Sequence, residues 1–291
     1  MTFMTKLNKS RLPALWLILT LVGLAGCQST EVLSINTTPG TSPTVVAVAP
    51  VQERGYSELV LDAGTGKILW QENANELRYP ASLTKMMTLY LLFEAVETRR
   101  ITLDTPFTVS AHAASMPPAR LGLPVASTIT VRDAATALAV RSANDVAAVV
   151  AEHLAGSEEA FARLMTTRAR SLGMTRTNFA NASGLPDPAQ VSTARDMALL
   201  ALALRSRYPA YQSFFKLEEF RYNGRRYQAT NKLLGSVNGV DGMKTGYIRS
   251  AGFHLVATAQ RGNRRLIAIV MGGETGKARN DRVTELFDQH F

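Results

Sequence analysis

The stretch Tyr79-Pro80-Ala81-Ser82-Leu83-Thr84-Lys85-Met86-Met87 places a serine and a lysine three positions apart, where a hydrophobic helix is predicted to begin. From Leu83 to Val96 the chain is apolar on nearly every face, which predicts a helix through the protein interior. Side chains at positions i and i+3 share one helix face, so the Lys85 ammonium can reach the Ser82 hydroxyl in the first turn. The pair is either a nucleophile beside its base or a helix cap beside a solvated lysine, and a buried helix favours the nucleophile.

Strand patterns occupy the two ends of the chain. Near the start, apolar residues at 59–61 and 68–70 flank a Gly-Thr-Gly turn, which predicts an antiparallel hairpin that leads to the Ser82 helix. Toward the end, apolar or alternating runs predict five strands, over residues 217–222, 225–230, 242–247, 252–261 and 264–271. The final stretch, Arg279 to Phe291, has the amphipathic pattern of a helix packed on a sheet.

Helical patterns fill the middle of the chain. Thr130 with Asp133, and Thr193 with Asp196, form Thr-x-x-Asp capping boxes. These boxes and the hydrophobic periodicity predict helices over residues 130–140, 145–154, 158–172 and 197–204. The whole pattern predicts an α/β fold in which an antiparallel sheet is built from both chain ends, with an inserted helical lobe and a cleft between the two.

Two further sets of polar residues stand out against this pattern. Ser142 and Asn144 lie at a break between two apolar helices, where they either cap the second helix or belong to a site. Lys244-Thr245-Gly246 falls on a predicted strand, where a lysine beside a hydroxyl can bind a carboxylate. Gly246 has no side chain, so a substrate backbone can approach the strand there.

Three short motifs therefore occur in order along the chain: Ser82-x-x-Lys85, Ser142-x-Asn144 and Lys244-Thr245-Gly246. Together they resemble the active-site motifs of the penicillin-binding proteins and serine β-lactamases. Two more stretches, residues 178–185 and 192–198, are similar to the low-molecular-mass D-alanyl-D-alanine carboxypeptidases of that family. The resemblance covers about residues 56–291 and implies the β-lactamase and penicillin-binding protein transpeptidase-like fold.

The resemblance implies a serine peptidase that removes the terminal D-alanine of peptidoglycan pentapeptides through an acyl-enzyme on Ser82. Lys85, with its pKa lowered by burial and neighbouring cations, would take the Ser82 proton, and Ser142 would relay a proton to the departing amine. β-Lactam antibiotics would be inhibitors, because they imitate the D-alanyl-D-alanine end of the substrate.

The resemblance also implies how the substrate is held. The backbone N–H groups of Ser82 and Tyr247 would form the oxyanion hole, and Asn144 would hydrogen-bond the substrate amide. Lys244 and Thr245 would bind the terminal carboxylate, and Gly246 would let the substrate backbone pair with the edge of the strand. Arg279 is a further candidate for that carboxylate, with an ordinary surface arginine as the alternative.

Three other functions remain open from the sequence. A D,D-endopeptidase that cuts cross-links would share every motif. A class A β-lactamase would need a glutamate between the second and third motifs, and residues 174–185 contain no acidic residue. A non-catalytic wall-binding lipoprotein would not need all three motifs intact, so their presence disfavours that function.

The first residues have the pattern of an export signal. Three basic residues, at positions 6, 9 and 11, precede an apolar run from Leu12 to Leu24 that is too short for a permanent membrane span. The run ends in Leu24-Ala25-Gly26-Cys27, which resembles a bacterial lipobox, and Cys27 is the single cysteine of the chain. We therefore expect residues 1–26 to be a lipoprotein signal peptide and Cys27 to carry the lipid.

Residues 27–54 are rich in Ser, Thr, Pro and Val and predict a flexible tether, which leaves residues 55–291 as the catalytic domain. Many relatives continue into a β-rich second domain and an amphipathic anchor, which this sequence does not show, and we expect the lipid to replace that anchor. The protein would thus lie on the periplasmic side of a bacterial membrane. Gln28 does not resemble an inner-membrane retention signal, which favours the outer membrane.

The composition limits the partners. The chain has 291 residues and 46% hydrophobic content, enough for a large core. Residues 1–26 hold three basic and no acidic side chains, so their removal changes the net charge from +9 to +6. The basic residues are scattered, which favours an anionic membrane or wall polymer over nucleic acid. The four histidines lack metal-ligand spacing, so the sequence predicts no metal and no cofactor.

Overall fold

The structure, a computed structural model, describes Glu53 and residues 55–291. The predicted signal peptide, the lipidation site Cys27 and, apart from Glu53, the predicted tether lie outside the described residues. Within the described part of the chain, no helix is both long and apolar enough to cross a membrane.

The described strands are β1 (Ser57–Asp62), β2 (Ile68–Glu72), β3 (Pro106–Thr108), β4 (Thr128–Thr130), β5 (Glu219–Tyr222), β6 (Arg225–Gln228), β7 (Val240–Ile248), β8 (Gly252–Arg261) and β9 (Arg264–Gly273). Five of them form one antiparallel sheet in the order β2-β1-β9-β8-β7. β1 pairs with β9, with Leu59 opposite Ile269, so the first strand adds to the final meander. The predicted sheet built from both chain ends is therefore confirmed.

The described helices are α1 (Lys85–Glu97), α2 (Ala111–Ser115), α3 (Val131–Val140), α4 (Asn144–Ala155), α5 (Glu158–Ser171), α6 (Ala194–Arg207) and α7 (Gly276–His290). Two begin at the predicted caps: Thr130 Oγ1 accepts from the N–H of Asp133 at 3.1 Å, and Thr193 Oγ1 accepts from the N–H of Asp196 at 3.0 Å. Every residue from Lys85 to Phe93 is buried, as the apolar circumference of α1 predicted.

Both faces of the main sheet are covered, because strand side chains alternate between them. Leu59 and Ile267 point into the core of the helical lobe, which is made mainly by α1, α3, α4 and α6. Val60 and Leu266 point the other way, into a smaller core against Phe287 of α7. The cleft predicted between sheet and lobe thus lies at the edge of the sheet, beside β7.

Some predicted boundaries were wrong. α7 begins three residues before Arg279, because the Thr275 side chain caps it by accepting from the N–H of Ala278 at 3.0 Å. The β5–β6 hairpin is shorter than predicted and forms its own two-stranded sheet. Phe220 is the buried residue of this hairpin, and the half-buried side chains of Tyr222 and Tyr227 also pack against the core of the lobe.

Candidate active site

Ser82 lies in a 3-10 turn, Ala81–Thr84, that leads into α1, and not in the first turn of α1 as predicted. Ala81 has a left-handed φ of 49°, so regular α-helix begins only after it. In a 3-10 turn, side chains three positions apart eclipse, and the turn therefore still aligns Ser82 with Lys85. The Lys85 Nζ atom donates to Ser82 Oγ at 3.1 Å.

The Lys85 ammonium is fully buried, with 0% of the residue exposed. Besides Ser82, it donates to Asn144 Oδ1 at 2.7 Å and to the carbonyl oxygen of Ser183. Burial, followed by the nearby charge of Lys244, holds the pKa of Lys85 well below its ordinary value. An amine of lowered pKa beside a serine hydroxyl is suited to accept that hydroxyl's proton.

Ser142 lies between α3 and α4 in the left-handed region, with a φ of 62°, and its Oγ accepts from Lys244 Nζ at 2.8 Å. The capping alternative for Ser142 and Asn144 is wrong, because the residue at the helix cap is Ala143 and no side chain caps α4. Asn144 instead lies between Lys85 and the carbonyl of Pro117, to which its Nδ2 donates at 2.9 Å. The break between α3 and α4 therefore contacts both lysines of the site, Lys85 on α1 and Lys244 of the third motif.

The third motif lies on β7, the edge strand next to the 3-10 turn. Lys244 is 1% exposed, and burial, with a smaller effect of the Arg279 charge, lowers its pKa to about 7. Thr245 Oγ1 donates to Thr230 Oγ1 at 2.8 Å. A Cβ on Gly246 would lie 3.1 Å from the Pro80 carbonyl oxygen, so this glycine also lets β7 pack against the turn that holds the serine.

Arg279 lies in the first turn of α7, and its side chain is mostly buried. One of its nitrogens, Nη1, donates to the carbonyl of His254, Nε has no partner among the described residues, and burial lowers its pKa to about 10. His254 Nε2 donates to the Tyr79 carbonyl at 3.0 Å, and its Nδ1 accepts from the N–H of Gly272 at 2.9 Å. Both nitrogens of this buried histidine thus tie the approach to Ser82 onto the sheet, and burial lowers its pKa to about 4.

A cavity of about 430 Å³ brings these groups to one surface. Ser82, Ser142, Asn144, Thr245, Gly246, Tyr247 and Arg279 all line it, whereas Lys85 and Lys244 lie beneath its wall. Tyr247 is 52% exposed and packs on the Phe253 ring, with 4.3 Å between the ring centroids. Arg141 also lines the cavity, and within residues 55–291 no Asp or Glu does.

Several residues of this site carried no assigned role in the sequence. Ser183 contributes only a carbonyl, which no side-chain pattern reveals. Gly184 has a φ of 83°, and a Cβ there would overlap the Ala81 carbonyl and lie 2.9 Å from the Ser82 nitrogen, so glycine is required. Arg141 could have been singled out from the sequence, because it is a charged residue at a break between two buried helices.

The cavity walls offer hydroxyls, guanidinium groups and backbone groups, and with the two lysine amines beneath them they are suited to acyl transfer. Among the described residues, no three His, Cys, Asp or Glu side chains converge in a way that would hold a metal ion. The arrangement can provide a nucleophile at Ser82, a base at Lys85 and cations for a carboxylate at Lys244 and Arg279.

Comparisons with known sequences agree with this chemistry. Residues 44–275 match the D-alanyl-D-alanine carboxypeptidase family. The D-alanyl-D-alanine carboxypeptidase DacF of Bacillus subtilis is 38% identical over 240 residues, which cover 81% of this chain and 61% of DacF. DacC of Escherichia coli is 40% identical over 240 residues, covering 80% of this chain and 60% of DacC. The chain thus spans about 60% of the length of these relatives.

A relative with a different stated activity also matches. The D-alanyl-D-alanine endopeptidase of Pseudomonas aeruginosa is 30% identical over 234 residues, which cover 77% of this chain and 74% of that protein.

Solved structures share the fold. Penicillin-binding protein 6B from Escherichia coli superposes with a TM-score of 0.76 at 34% identity, over 88% of this chain and 81% of that one. Penicillin-binding protein D2 from Listeria monocytogenes, in its ampicillin-bound form, gives 0.71 at 30% identity, over 85% and 98%. The chain therefore belongs to the D-alanyl-D-alanine carboxypeptidase family and has the penicillin-binding protein fold that its three motifs implied.

Proposed function

We propose that the protein is a serine-type D-alanyl-D-alanine carboxypeptidase that removes the terminal D-alanine from peptidoglycan stem pentapeptides. The observation that carries this proposal is the 3.1 Å contact between Lys85 Nζ and Ser82 Oγ, made by a lysine whose pKa burial lowers well below its ordinary value. The family to which the chain belongs supports the same substrate class.

Acylation follows from this pair. Lys85 takes the Ser82 proton while Ser82 Oγ attacks the carbonyl carbon between the two D-alanines. The backbone N–H groups of Ser82 and Tyr247 hold the oxyanion, and a donor of this kind is worth about 3 kcal/mol in the transition state. The C–N bond then breaks, and the proton that Lys85 took from Ser82 passes through Ser142 to the departing amine, which leaves Lys85 neutral. Water attacks the acyl carbon, and Lys85 takes the water's proton and returns it to Ser82 Oγ as the bond between Ser82 and the acyl group breaks.

The remaining side chains bind the substrate. Lys244, Thr245 and Arg279 hold the carboxylate of the leaving D-alanine, for which two cations and a hydroxyl are suited. The Oδ1 atom of Asn144 accepts a hydrogen bond from Lys85, and one N–H of its Nδ2 donates to the Pro117 carbonyl. The second N–H of Nδ2 therefore remains for the substrate amide.

A defined substrate tests this function. The unaltered protein should release D-alanine from a pentapeptide, and Ser82→Ala should abolish that release. Lys85→Arg keeps the charge but cannot act as a base near neutral pH, so it should lower the acylation rate at least 1,000-fold, about 4 kcal/mol. Normal acylation in Lys85→Arg would remove Lys85 from the mechanism.

A second candidate is a D,D-endopeptidase, which the Pseudomonas aeruginosa relative specifically favours. Both activities use the same acylation chemistry and differ only in what leaves. Incubation with purified cross-linked and uncross-linked muropeptides separates them by product mass. We expect loss of one alanine from uncross-linked pentapeptide, and separation of cross-linked dimers into monomers would instead establish the endopeptidase.

β-Lactams should acylate Ser82 and remain bound. Penicillin-binding protein D2 of Listeria monocytogenes is described in ampicillin- and cefotaxime-bound forms. In this chain no acidic residue occurs from 174 to 185, and Glu158, which contacts that segment, does not line the cavity. Hydrolysis of the adduct over minutes to hours corresponds to a barrier of roughly 20 to 23 kcal/mol.

Labelling with a fluorescent penicillin measures this lifetime. Mass spectrometry should find the adduct on Ser82, and its loss after removal of free drug should be slow. Turnover of many molecules per second would identify a β-lactamase, and a folded protein that takes no label would favour a non-catalytic wall-binding role.

The proposal extends to location: the protein is exported to the periplasmic side of a bacterial membrane and anchored by lipid on Cys27, with the outer membrane favoured. The lipobox-like sequence before Cys27 supports this. Changing Cys27→Ala should leave peptidase activity intact and move the protein from the membrane fraction to the soluble fraction. Continued membrane association of that variant would assign the anchoring to another part of the protein.

A further inference from the structure

The active-site cavity holds more positive charge than the proposed carboxylate receptor uses. Arg141 and Arg279 both line the cavity, Lys244 lies beneath its wall, and none of the described lining residues is an Asp or Glu that could neutralise them. Charged side chains in such a place are normally paired. The excess points to an anionic group on the ligand.

Arg141 is the unpaired cation. Its guanidinium makes no hydrogen bond or ion pair with any described residue, and its Nε atom is buried without a partner. The guanidinium makes a cation–π contact with the Tyr227 ring, whose centroid lies 5.7 Å from Cζ. Arg279 differs, because its Nη1 already donates to the His254 carbonyl.

The neighbours of Arg141 belong to the carboxylate end of the site. Ser142, the next residue, accepts from Lys244. Thr230 donates its N–H to the Val140 carbonyl at 3.2 Å and shares a hydroxyl contact of 2.8 Å with Thr245. These bonds place Arg141, at the break between α3 and α4 of the lobe, beside Lys244 and Thr245 of β7.

We propose that Arg141 is a specificity-determining residue whose guanidinium binds the terminal carboxylate of the substrate, from the lobe side of the cavity. A guanidinium offers parallel N–H donors to both carboxylate oxygens, which the Lys244 ammonium cannot do. The Tyr227 ring holds the guanidinium without occupying those donors. This inference rests on the proposed function and adds a residue to it.

The test compares a penicillin with its free carboxylate and the methyl ester of the same penicillin. The rate of Ser82 acylation by each is followed by mass spectrometry. Arg141→Gln should lower the rate with the free acid about 10- to 100-fold and the rate with the ester far less, because a charged hydrogen bond is lost only with the acid. The rate with the free acid should be intermediate for Arg141→Lys, because lysine keeps the charge but lacks the two parallel N–H donors of a guanidinium.

Arg221→Gln is the matched control, because Arg221 lies on the nearby hairpin with a side chain that is 74% exposed. It should leave both rates unchanged.

A second measurement uses two blocked peptides ending in D-alanyl-D-alanine, one neutral and one with an acidic residue upstream. Arg141→Gln should raise KM for both alike, with kcat changed less.

Three results would overturn the inference: an equal loss with acid and ester, no loss with either, or a loss confined to the peptide with the upstream acid. The first would make Arg141 structural, and the last would assign it to another carboxylate of the substrate. If the unaltered protein is acylated by neither penicillin, the proposed function itself fails.

Discussion

The two buried lysines of the site have opposite protonation requirements. In the proposed mechanism, Lys85 acts as a base only when neutral, whereas Lys244 binds a carboxylate only when charged. Burial lowers the pKa of both, that of Lys85 well below its ordinary value and that of Lys244 to about 7. Each lysine has its own partners, Asn144 for Lys85 and Ser142 for Lys244, which keeps the two ammonium groups apart.

We therefore expect kcat/KM to rise with pH as Lys85 loses its proton. It should fall again as the pH passes about 7, because Lys244 then loses its proton and with it the charge that binds the carboxylate. kcat should fall only at higher pH, because a bound carboxylate raises the pKa of Lys244. The profile can be measured from about pH 5 to pH 10 by stopped-flow acylation. Lys244→Arg should lose the falling limb, since arginine stays charged. An unchanged limb in that variant would assign it to another group.

At this scale the sequence predicts contacts within one turn better than contacts across the fold. The spacing of Ser82 and Lys85 predicted their contact, because it depends on one local turn. The partners of Ser142 and Asn144 depend on where β7 and α1 meet the break, which no local pattern contains. The free guanidinium of Arg141 likewise becomes visible only when its surroundings are known.

Glu158, the first residue of α5, holds the short segment of residues 182–183 that contacts Lys85. Glu158 Oε1 accepts from the N–H of Ala182 at 3.0 Å, and its Oε2 lies 2.9 Å from His112 Nε2. The Ala182 carbonyl accepts from Thr88 on α1 at 2.7 Å, and the next carbonyl, that of Ser183, accepts from Lys85. One short segment thus links α5 to the base of the proposed mechanism.

Glu158→Ala should therefore disturb both stability and acylation. Loss of a charge-assisted hydrogen bond should lower the free energy of unfolding by about 1.5 to 3 kcal/mol. Acylation should slow about tenfold as the Ser183 carbonyl moves from Lys85, whereas Glu158→Gln, which keeps an acceptor, should retain most of the rate. Denaturant unfolding and penicillin labelling measure the two effects.

The adjacent Glu159→Ala is the control, because Glu159 lies on the same turn with its side chain in solvent. It should leave acylation unchanged and lower the free energy of unfolding far less than Glu158→Ala does, because its hydrogen bonds at the start of α5 are exposed to water. Equal behaviour of the two alanine variants would show that Glu158 does not position the segment.

Element prediction succeeded where the hydrophobic pattern was long. The helices from 131 to 207 and the three C-terminal strands follow their periodicity, because burial and backbone preference agree there. The short strands β3 and β4 and helix α2 were not predicted, because they have too few residues to show a period. The 3-10 turn at Ser82 depends on packing against Gly184, which is distant in sequence.

At the scale of the whole domain that the structure describes, residues 55–291, the first strand and the last helix are joined through the main sheet. β1 completes the sheet beside β9, and α7 packs on the same sheet. Glu58 of β1 is buried and receives two bonds from Arg282 of α7, from Nε at 2.8 Å and Nη2 at 2.7 Å. Strand patterns at both ends predicted this closure, but the ion pair could not be predicted, since its register depends on how α7 lies on the sheet.

This ion pair gives the last prediction. Burial alone would raise the pKa of Glu58, but hydrogen bonds from Arg282, Tyr56 and Trp70 outweigh it and lower that pKa below the ordinary value of a glutamate. The carboxylate therefore stabilises the fold above the pKa of an unfolded glutamate, and its contribution is lost as pH falls through the lowered folded-state pKa. Arg282→Met should leave a buried carboxylate without its cation and lower the free energy of unfolding at pH 7 by about 3 kcal/mol.

The difference between Arg282→Met and the unaltered protein should shrink on acidification, because protonation of Glu58 removes the uncompensated charge. Urea unfolding at pH 7 and near pH 4 measures both values. Glu285→Gln is the control, since this second partner of Arg282 has a side chain that is 53% exposed and should change stability by less than about 1 kcal/mol. Glu58→Gln combined with Arg282→Met should recover part of the loss, because a neutral amide needs no cation. A loss at pH 7 no larger than that of Glu285→Gln would show that the chain ends are held together by the sheet and the apolar face of α7 alone.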